Sequence, residues 1–333
     1  MEYDFVKRIL FRADAAPHLG IGDLMSLIHL SKYLDEAWEI FFMVKDYKAS
    51  LNLLLKYGIN DFIVINKSIE IEDEVMFINK IIEEKNIDII FFEITERKLT
   101  DYIRLSKQVK KACVSFDGYI LDDMGLIVNW DVEAFKYFTP SKYPDTKFLL
   151  GHEYVILPRE FYAENILSRE YSKCVRKVLI AMGGADEYDF TSKILKILIE
   201  SNLDLEIVAI VGSGYDNNHS LEKLVKGSNV SCKIKSNVTN MIDEYIWSDV
   251  AIGAGGLTSS ELVASKTPSI LVATYEHQVA RCKFFEKHGW VKYLGFRDFD
   301  SNELVDSVKT PIYPNSEALF DTKKIVHIVE ELI

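Results

Sequence analysis

The chain has no run of apolar residues approaching the roughly 20 that a membrane-spanning helix needs. Its longest, such as IDIIFFEI (87–94), are strand-sized. No secretory leader is expected, because MEYDFVKR is acidic and no apolar core comes after it. A basic excess is also missing: 39 Lys and Arg stand against 51 Asp and Glu, a net charge of −12. That disfavours a surface that tracks nucleic-acid phosphates, and docking on an anionic membrane by charge alone. The one basic stretch, KQVKK (107–111), reads as an exposed helix face. Cysteine is sparse, with Cys113, Cys174, Cys232 and Cys282 far apart and no CxxC pair. That spacing supports neither a disulfide framework nor a zinc site. Free thiols in a reducing compartment are expected. The expectation is a cytoplasmic protein without a nucleic-acid partner, stable membrane insertion or metal.

What is present is ordinary globular material. Hydrophobic residues make up 48% of the chain and charged residues 27%, and 333 residues suit two domains better than one. In the first half, apolar runs alternate with helical periods. RILFRA (8–13), WEIFFMV (38–44), DFIVI (61–65), IDIIFFEI (87–94) and ACVSFDG (112–118) read as strands. GDLMSLIHLSKYL (22–34), ASLNLLLKYG (49–58), VMFINKIIEEKN (75–86) and LTDYIRLSKQVKK (99–111) read as helices between them. Between about 150 and 175 the rhythm breaks, as in a linker. It then resumes through VRKVLIAMGG, DLEIVAIVGSG, VSCKIK, DVAIGAGG and TPSILVAT, with amphipathic segments between and DTKKIVHIVEEL at the end. Apolar strands separated by helices predict parallel sheets covered on both faces. The fold class is therefore α/β, with two doubly wound, Rossmann-like domains: 1–155, 156–315, and a terminal helix within 316–333 that can pack back on the first domain. In such sheets ligands bind beyond the carboxyl ends of the strands, and the interdomain cleft is the expected site.

Two glycine turns in the second half suggest a nucleotide. LIAMGGADEYDFT (179–191) puts Gly183 and Gly184 between a strand and a helix start, where free N–H groups suit phosphate. The same stretch also reads as a plain turn with Asp186 as helix cap. IGAGGLTSSELVASKTPSILV (252–272) carries Gly253, Gly255 and Gly256 into a helix. Its first amides and macrodipole suit a diphosphate, and Thr258, Ser259 and Ser260 offer hydroxyls. Glu261 is placed to accept from a ribose diol, although Thr258 to Glu261 also spells a capping box. His277 and Gln278 start a helix after the next strand, as donors to a sugar or phosphate or as cap and surface. His29, His219, His288 and His327 have no partners in sequence.

HLGIGDLMS (18–26) places an acid, Asp23, at the mouth of a glycine loop. A carboxylate there repels an anion, so phosphate belongs to 183–184 and 253–258, and Asp23 is left for other work. Three roles stand open for it: a general base for an incoming hydroxyl, the N-cap of a helix over 24–34, or both. His18 is an alternative source of an imidazole.

Taken in order, RADAAPHLGIGDLMS, IAMGGAD, VGSG, NVTNMIDEYIWSDVAIGAGGLTSSELVASKTPSILV and HQ resemble the nucleotide-sugar hydrolase of pseudaminic acid biosynthesis and its spore-coat polysaccharide relatives. Those belong to the GT-B superfamily, with the lipid-linked glycosyltransferase of peptidoglycan synthesis. The similarity is strong from about 176 to 290, good from 8 to 34 and loose between. It implies a GT-B fold and an inverting, metal-independent attack on the anomeric carbon of a UDP-sugar, without cofactor. It implies nucleotide binding by Gly183, Gly184, Gly253, Gly255, Gly256, Thr258, Ser259, Glu261, His277 and Gln278. It implies a substrate-facing N-terminal motif with Arg12, His18, Gly20 and Gly22, and Asp23 at the catalytic position. There the family has Gly-x-Gly-His, with the His as base. This chain has Gly20-Ile21-Gly22-Asp23, Ser26 where the family has Arg, and Glu93-Ile94-Thr95 where it has Asp-x-Tyr. The nucleotide side is kept and the sugar side is rewritten.

The expected function is thus a UDP-sugar hydrolase releasing UDP from an amino-deoxy-hexose in nonulosonic-acid or surface polysaccharide biosynthesis. Three rivals stand beside it: an inverting glycosyltransferase, a sugar-nucleotide 2-epimerase, and a non-catalytic nucleotide-sugar-binding partner. A CMP- or dTDP-linked donor would leave the same glycine marks as UDP.

Overall fold

A computed structural model of the chain describes residues 6–163, 166, 168–184, 186–212, 214–236, 238, 240–314 and 319–333. The N-terminal MEYDF, parts of the expected linker, the boundary expected at 315–316, and Ala185, Ser213, Asn237 and Thr239 in the motifs lie outside them. The described residues fall into two compact units, one up to Arg159 together with Phe320–Ile333, the other over Glu160–Leu319.

The first unit is built on seven parallel strands: β1 (Lys7–Ala13), β2 (Trp38–Lys45), β3 (Ile63–Ile65), β4 (Ile89–Glu93), β5 (Lys110–Val114), β6 (Met124–Asn129) and β7 (Lys147–Leu150). Their order is β3-β2-β1-β4-β5-β6-β7. Phe11 of β1 lies opposite Phe42 of β2 on one side and Phe91 of β4 on the other. On one face of the sheet, Leu10, Ile90, Phe92 and Ile127 pack with Val75, Ile78 and Ile82 of a helix over Ile71–Lys85. Strands apolar on both faces are what helical cover on both sides requires. The sheet order reverses at β1, so the loops leaving β1 and β4 diverge and open a crevice at the carboxyl ends of the strands.

The expected helix over 99–111 does not form. Only a short 3₁₀ turn, Leu99–Tyr102, is present, and β5 begins at Lys110. Side chains elsewhere take over the backbone and side-chain groups of this segment. Tyr102 donates its hydroxyl to Glu74 at 2.9 Å, the Ser106 amide bonds Asn79 at 2.8 Å, and Lys111 bonds the Ser106 carbonyl at 2.9 Å.

The second unit repeats the plan with six parallel strands: β8 (Lys177–Ala181), β9 (Glu206–Val211), β10 (Ser231–Ser236), β11 (Val250–Ala254), β12 (Ser269–Ala273) and β13 (Lys292–Phe296). Their order is β10-β9-β8-β11-β12-β13. Val178, Ile180, Ile207, Ile252 and Ile270 form its core with Ile194 and Leu198 of the helix Phe190–Glu200. Here the order reverses at β8, so the loops after β8 and β11 flank the equivalent crevice. A final helix, Thr322–Glu330, belongs to the first unit. Its first residue bonds the Val155 carbonyl and the Leu157 amide, each at 3.1 Å.

Candidate active site

In the first unit the crevice begins with the loop after β1. Asp14 anchors this loop: its carboxylate accepts the Lys45 amide at 2.7 Å and pairs with Arg12 at 2.7 Å. Ala15 bonds the Ser50 hydroxyl at 2.8 Å, and Ala16 and Gly20 bridge each other. Gly20 turns the chain at φ +80, which an L side chain rarely adopts. The helix then starts at Gly22, not Leu24. Its N-cap is Ile21, without a side-chain bond. Asp23 therefore stands inside the first turn and is not the cap. Its carboxylate is engaged by a neighbouring strand end instead, where it accepts the Thr95 hydroxyl.

Beside it, at the end of β4, lies Glu93, only 4% exposed. Its Oε2 is buried without a hydrogen-bond partner. Burial holds the Glu93 carboxyl well above its usual range, and the charge of Asp23 adds to that against a bond from Ser26. Asp23 is half-buried. Burial pushes its carboxyl up to about 6 and Asp14 adds to this, while the Thr95 hydroxyl and the helix amide oppose it. Two raised carboxyls thus lie side by side: burial favours the protonated form of Glu93, and Asp23 stands at about 6. Together with Thr95, Arg97, Ser115 and Asp117 they line a pocket of about 230 Å³. This pairing can accept and donate protons near neutrality.

Two residues expected to face substrate do other work. Arg12 is fully buried, pairing Asp14 at 2.7 Å and Glu74 at 2.9 Å. It is a structural cation within the sheet. His18 is exposed and bonds Glu96 at 3.0 Å, beside Lys45 at 2.6 Å and Tyr47 at 2.8 Å on the same carboxylate. Burial alone would raise Glu96, but these three bonds outweigh it and hold it down to about 2.

The glycine turns of the second unit differ from each other. After β8, Gly183 takes φ +93. Gly184 meets Gly212 so closely that a Cβ on Gly212 would lie 2.1 Å from the Gly184 carbonyl oxygen. The next helix does not offer free amides. Asp186 accepts from the amides of Phe190 at 2.9 Å and Thr191 at 2.8 Å, and Asp189 caps the helix through the Ser192 amide at 3.3 Å. After β11, by contrast, the helix Leu257–Ala264 starts from Gly256 with no side-chain cap.

The capping box expected over 258–261 is absent. Glu261 is too far into the helix to reach its start, and its Oε2 accepts the Tyr245 hydroxyl at 2.6 Å. Burial raises the Glu261 carboxyl, and that bond opposes the rise. Thr258 is half-buried, but Ser259 and Ser260 are fully buried. The Ser259 hydroxyl donates to the Gly256 carbonyl at 2.6 Å, so it is not a phosphate donor. Gly253 and Gly255 are packing glycines. A Cβ would lie 2.8 Å from Leu262 at the first and 2.5 Å from the Cys282 sulfur at the second. Gln278 is buried, and its Oε1 accepts from the Thr274 amide at 2.9 Å. It caps this turn from inside, its Oε1 also accepting from the Tyr275 amide at 3.4 Å. His277 is exposed and stacks on Tyr275 with 5.8 Å between ring centroids. Arg281, missed in sequence, is buried and donates to the Gly255 carbonyl at 3.3 Å. Glu93 and Thr95 were visible only as departures from a family pattern. Nothing local in sequence marks them as partners of Asp23, 70 and 72 positions away.

Residues 178–332, a little under half of the chain, match the family model of the glycosyltransferase family 28 C-terminal domain. An uncharacterised protein of Methanocaldococcus jannaschii is 26% identical over 269 residues, 69% of this chain and 52% of that protein. The chain thus spans about half the length of that relative. The spore coat polysaccharide biosynthesis protein SpsG of Bacillus subtilis is 22% identical over 239 residues, 69% of this chain and 68% of SpsG. The crystal structure of Acinetobacter baumannii MurG superposes with a TM-score of 0.65 at 12% identity, covering 98% of this chain and 99% of that one. At that identity the likeness is one of fold. The chain has the GT-B fold of two Rossmann-like domains, and its second half matches the C-terminal domain of family 28 glycosyltransferases.

Proposed function

We propose that the protein is an enzyme that binds a UDP-sugar and releases UDP by inverting attack at the anomeric carbon, with water as nucleophile, in surface polysaccharide or nonulosonic-acid biosynthesis. The observation that carries this reading is Asp23. It is a basic carboxylate at the point where the sheet order of the first unit reverses, oriented by Thr95. Asp23 takes the proton of the attacking hydroxyl. Glu93 lies buried beside it in the same pocket. In the second unit the uncapped helix start at 256–258 receives the charge that grows on leaving UDP. Glu261, fixed by Tyr245, accepts from the ribose. The match to the family 28 C-terminal domain supports that assignment.

The test is UDP release from a panel of UDP-sugars by wild type and Asp23→Asn, without and with added sugar acceptors. Turnover without acceptor that collapses in Asp23→Asn supports the hydrolase. Turnover only with acceptor makes the protein an inverting glycosyltransferase on the same residues. UDP binding that Glu261→Ala weakens, with no release from any donor, removes the enzymatic reading. The Asp23–Glu93 pair also favours a second reading, 2-epimerisation, since two carboxyls can remove and return a proton. Exchange of the sugar C2 hydrogen with solvent deuterium separates the two.

A further inference from the structure

The pocket around Glu93 carries an excess of acidic groups. Its carboxyls, on Asp23, Glu93 and Asp117, outnumber its one cation, Arg97. Three of its donor groups already make a bond within the protein. Thr95 donates to Asp23, Ser115 donates to Asp117 at 2.9 Å, and Arg97 donates to the Ile69 carbonyl at 2.8 Å. The acceptor left over is Glu93 Oε2, buried with no partner in a side chain 4% exposed. A buried polar atom without a partner costs free energy until a ligand supplies one. At about 230 Å³ the pocket is smaller than the roughly 300–1,000 Å³ of sites that enclose drug-sized ligands, so it takes one part of a ligand.

We propose that this pocket binds the primary ammonium of an amino sugar, with Glu93 as its buried anchor. The inference rests on the nucleotide-sugar reading above and narrows its substrate to sugars carrying a free amine. An ammonium is all donor and has no acceptor to satisfy. An acetamido group is neutral and forms no ion pair with these carboxyls. On binding, the cation replaces the proton on Glu93. The carboxylic acid loses H⁺ to solvent, and the carboxylate then pairs with the ammonium.

Calorimetry with UDP-hexoses bearing a free amine at C2, C3 or C4, each against its N-acetylated counterpart, tests this. For at least one position the amine is expected to bind about tenfold or more tightly than its acetamide. About one proton should be released, read from the dependence of the heat on buffer ionisation enthalpy. Glu93→Gln, close in shape to the protonated acid, should abolish both the preference and the proton release while binding of UDP itself stays unchanged. Equal or tighter binding of the acetamide at every position, or a preference that survives in Glu93→Gln, overturns the inference. Its failure is distinguishable from that of the functional reading. UDP release from acetamido donors that needs Asp23 leaves that reading intact and removes this one, whereas amine binding with proton release but no turnover does the reverse.

Discussion

If Asp23 is the base, the reaction must track its titration. With the carboxyl at about 6, about half of the enzyme is competent at that pH, about one-tenth one unit below it, and about nine-tenths one unit above it. The rate per encounter, kcat/KM, should rise with unit slope through about pH 6 and then level. The Thr95 hydroxyl favours the ionised form of Asp23, so its loss must raise the pKa, not lower it. A hydrogen bond to a charged group is worth about 1.5–3 kcal/mol when buried. Thr95 is exposed, so the shift for Thr95→Val is set lower, at about half to one unit. At about pH 6 that cuts the rate from half of the plateau to between about a quarter and a tenth. The plateau itself should hold. Asp23→Asn should lower the plateau by about 10²–10⁴-fold, the usual span for a positioned base. Initial rates of UDP release over about pH 4.5–9 for the three proteins read all of this. The Asp23 carboxyl carbon, monitored by NMR, gives the same titration without substrate. A flat profile, or a limb that Thr95→Val moves to lower pH, refutes Asp23 as the group that must ionise.

Other consequences concern stability. Arg12→Met leaves the Asp14 and Glu74 carboxylates buried without their cation, so urea denaturation should show a loss of about 3–5 kcal/mol. A merely substrate-binding Arg12 would leave stability near wild type. Gly255→Ala drives a methyl against the Cys282 sulfur and Gln278, and should cost about 1–3 kcal/mol by the same assay. Glu93 is raised in the folded state above its ordinary value near 4.5, so the folded form binds the proton more tightly than the unfolded one. Its contribution is fully present below about pH 4.5 and is lost as pH rises towards the folded value. Glu93→Gln removes that dependence, so the melting temperature of the variant should gain on wild type as pH rises from about 4.5.

Much of the fold was legible because burial on both faces leaves a plain mark. IIFF (89–92) and VLIA (178–181) are apolar throughout, as covered parallel strands are. The segment 99–111 failed for the opposite reason. Its helical period is genuine, yet Glu74, Asn79 and Asp123 capture Tyr102, Ser106 and Lys111 from elsewhere in the fold. No local pattern contains those partners. The strands Met124–Asn129 and Lys147–Leu150 went unread because they are short and set among irregular loops. At the site, Asp23 was visible as an acid out of place after a glycine turn. Its partner Glu93 was hidden at the end of an apolar strand, where an acid passes for the strand's last residue. Only the crossover from β1 to β4, which sets Ala13 opposite Glu93, brings the two together.

The two glycine turns of the second half show the limit most clearly. LIAMGGADEYDFT and AIGAGGLTSSE carry the same signature, a strand, paired glycines and a helix. A phosphate needs the first-turn amides themselves, and whether these are free depends on the side chains just after the glycines. In the first turn those are Asp186 and Asp189, which consume the amides and add negative charge. In the second they are Leu257 and Thr258, which leave the amides uncapped, while Ser259 bonds inward and Glu261 bonds Tyr245. Two carboxylates at a helix start repel a diphosphate as effectively as Asp23 does in the first unit. By charge and by amide supply, the start at 256–258 is the better of the two for the proposed diphosphate, while Gly184 makes the close approach to Gly212.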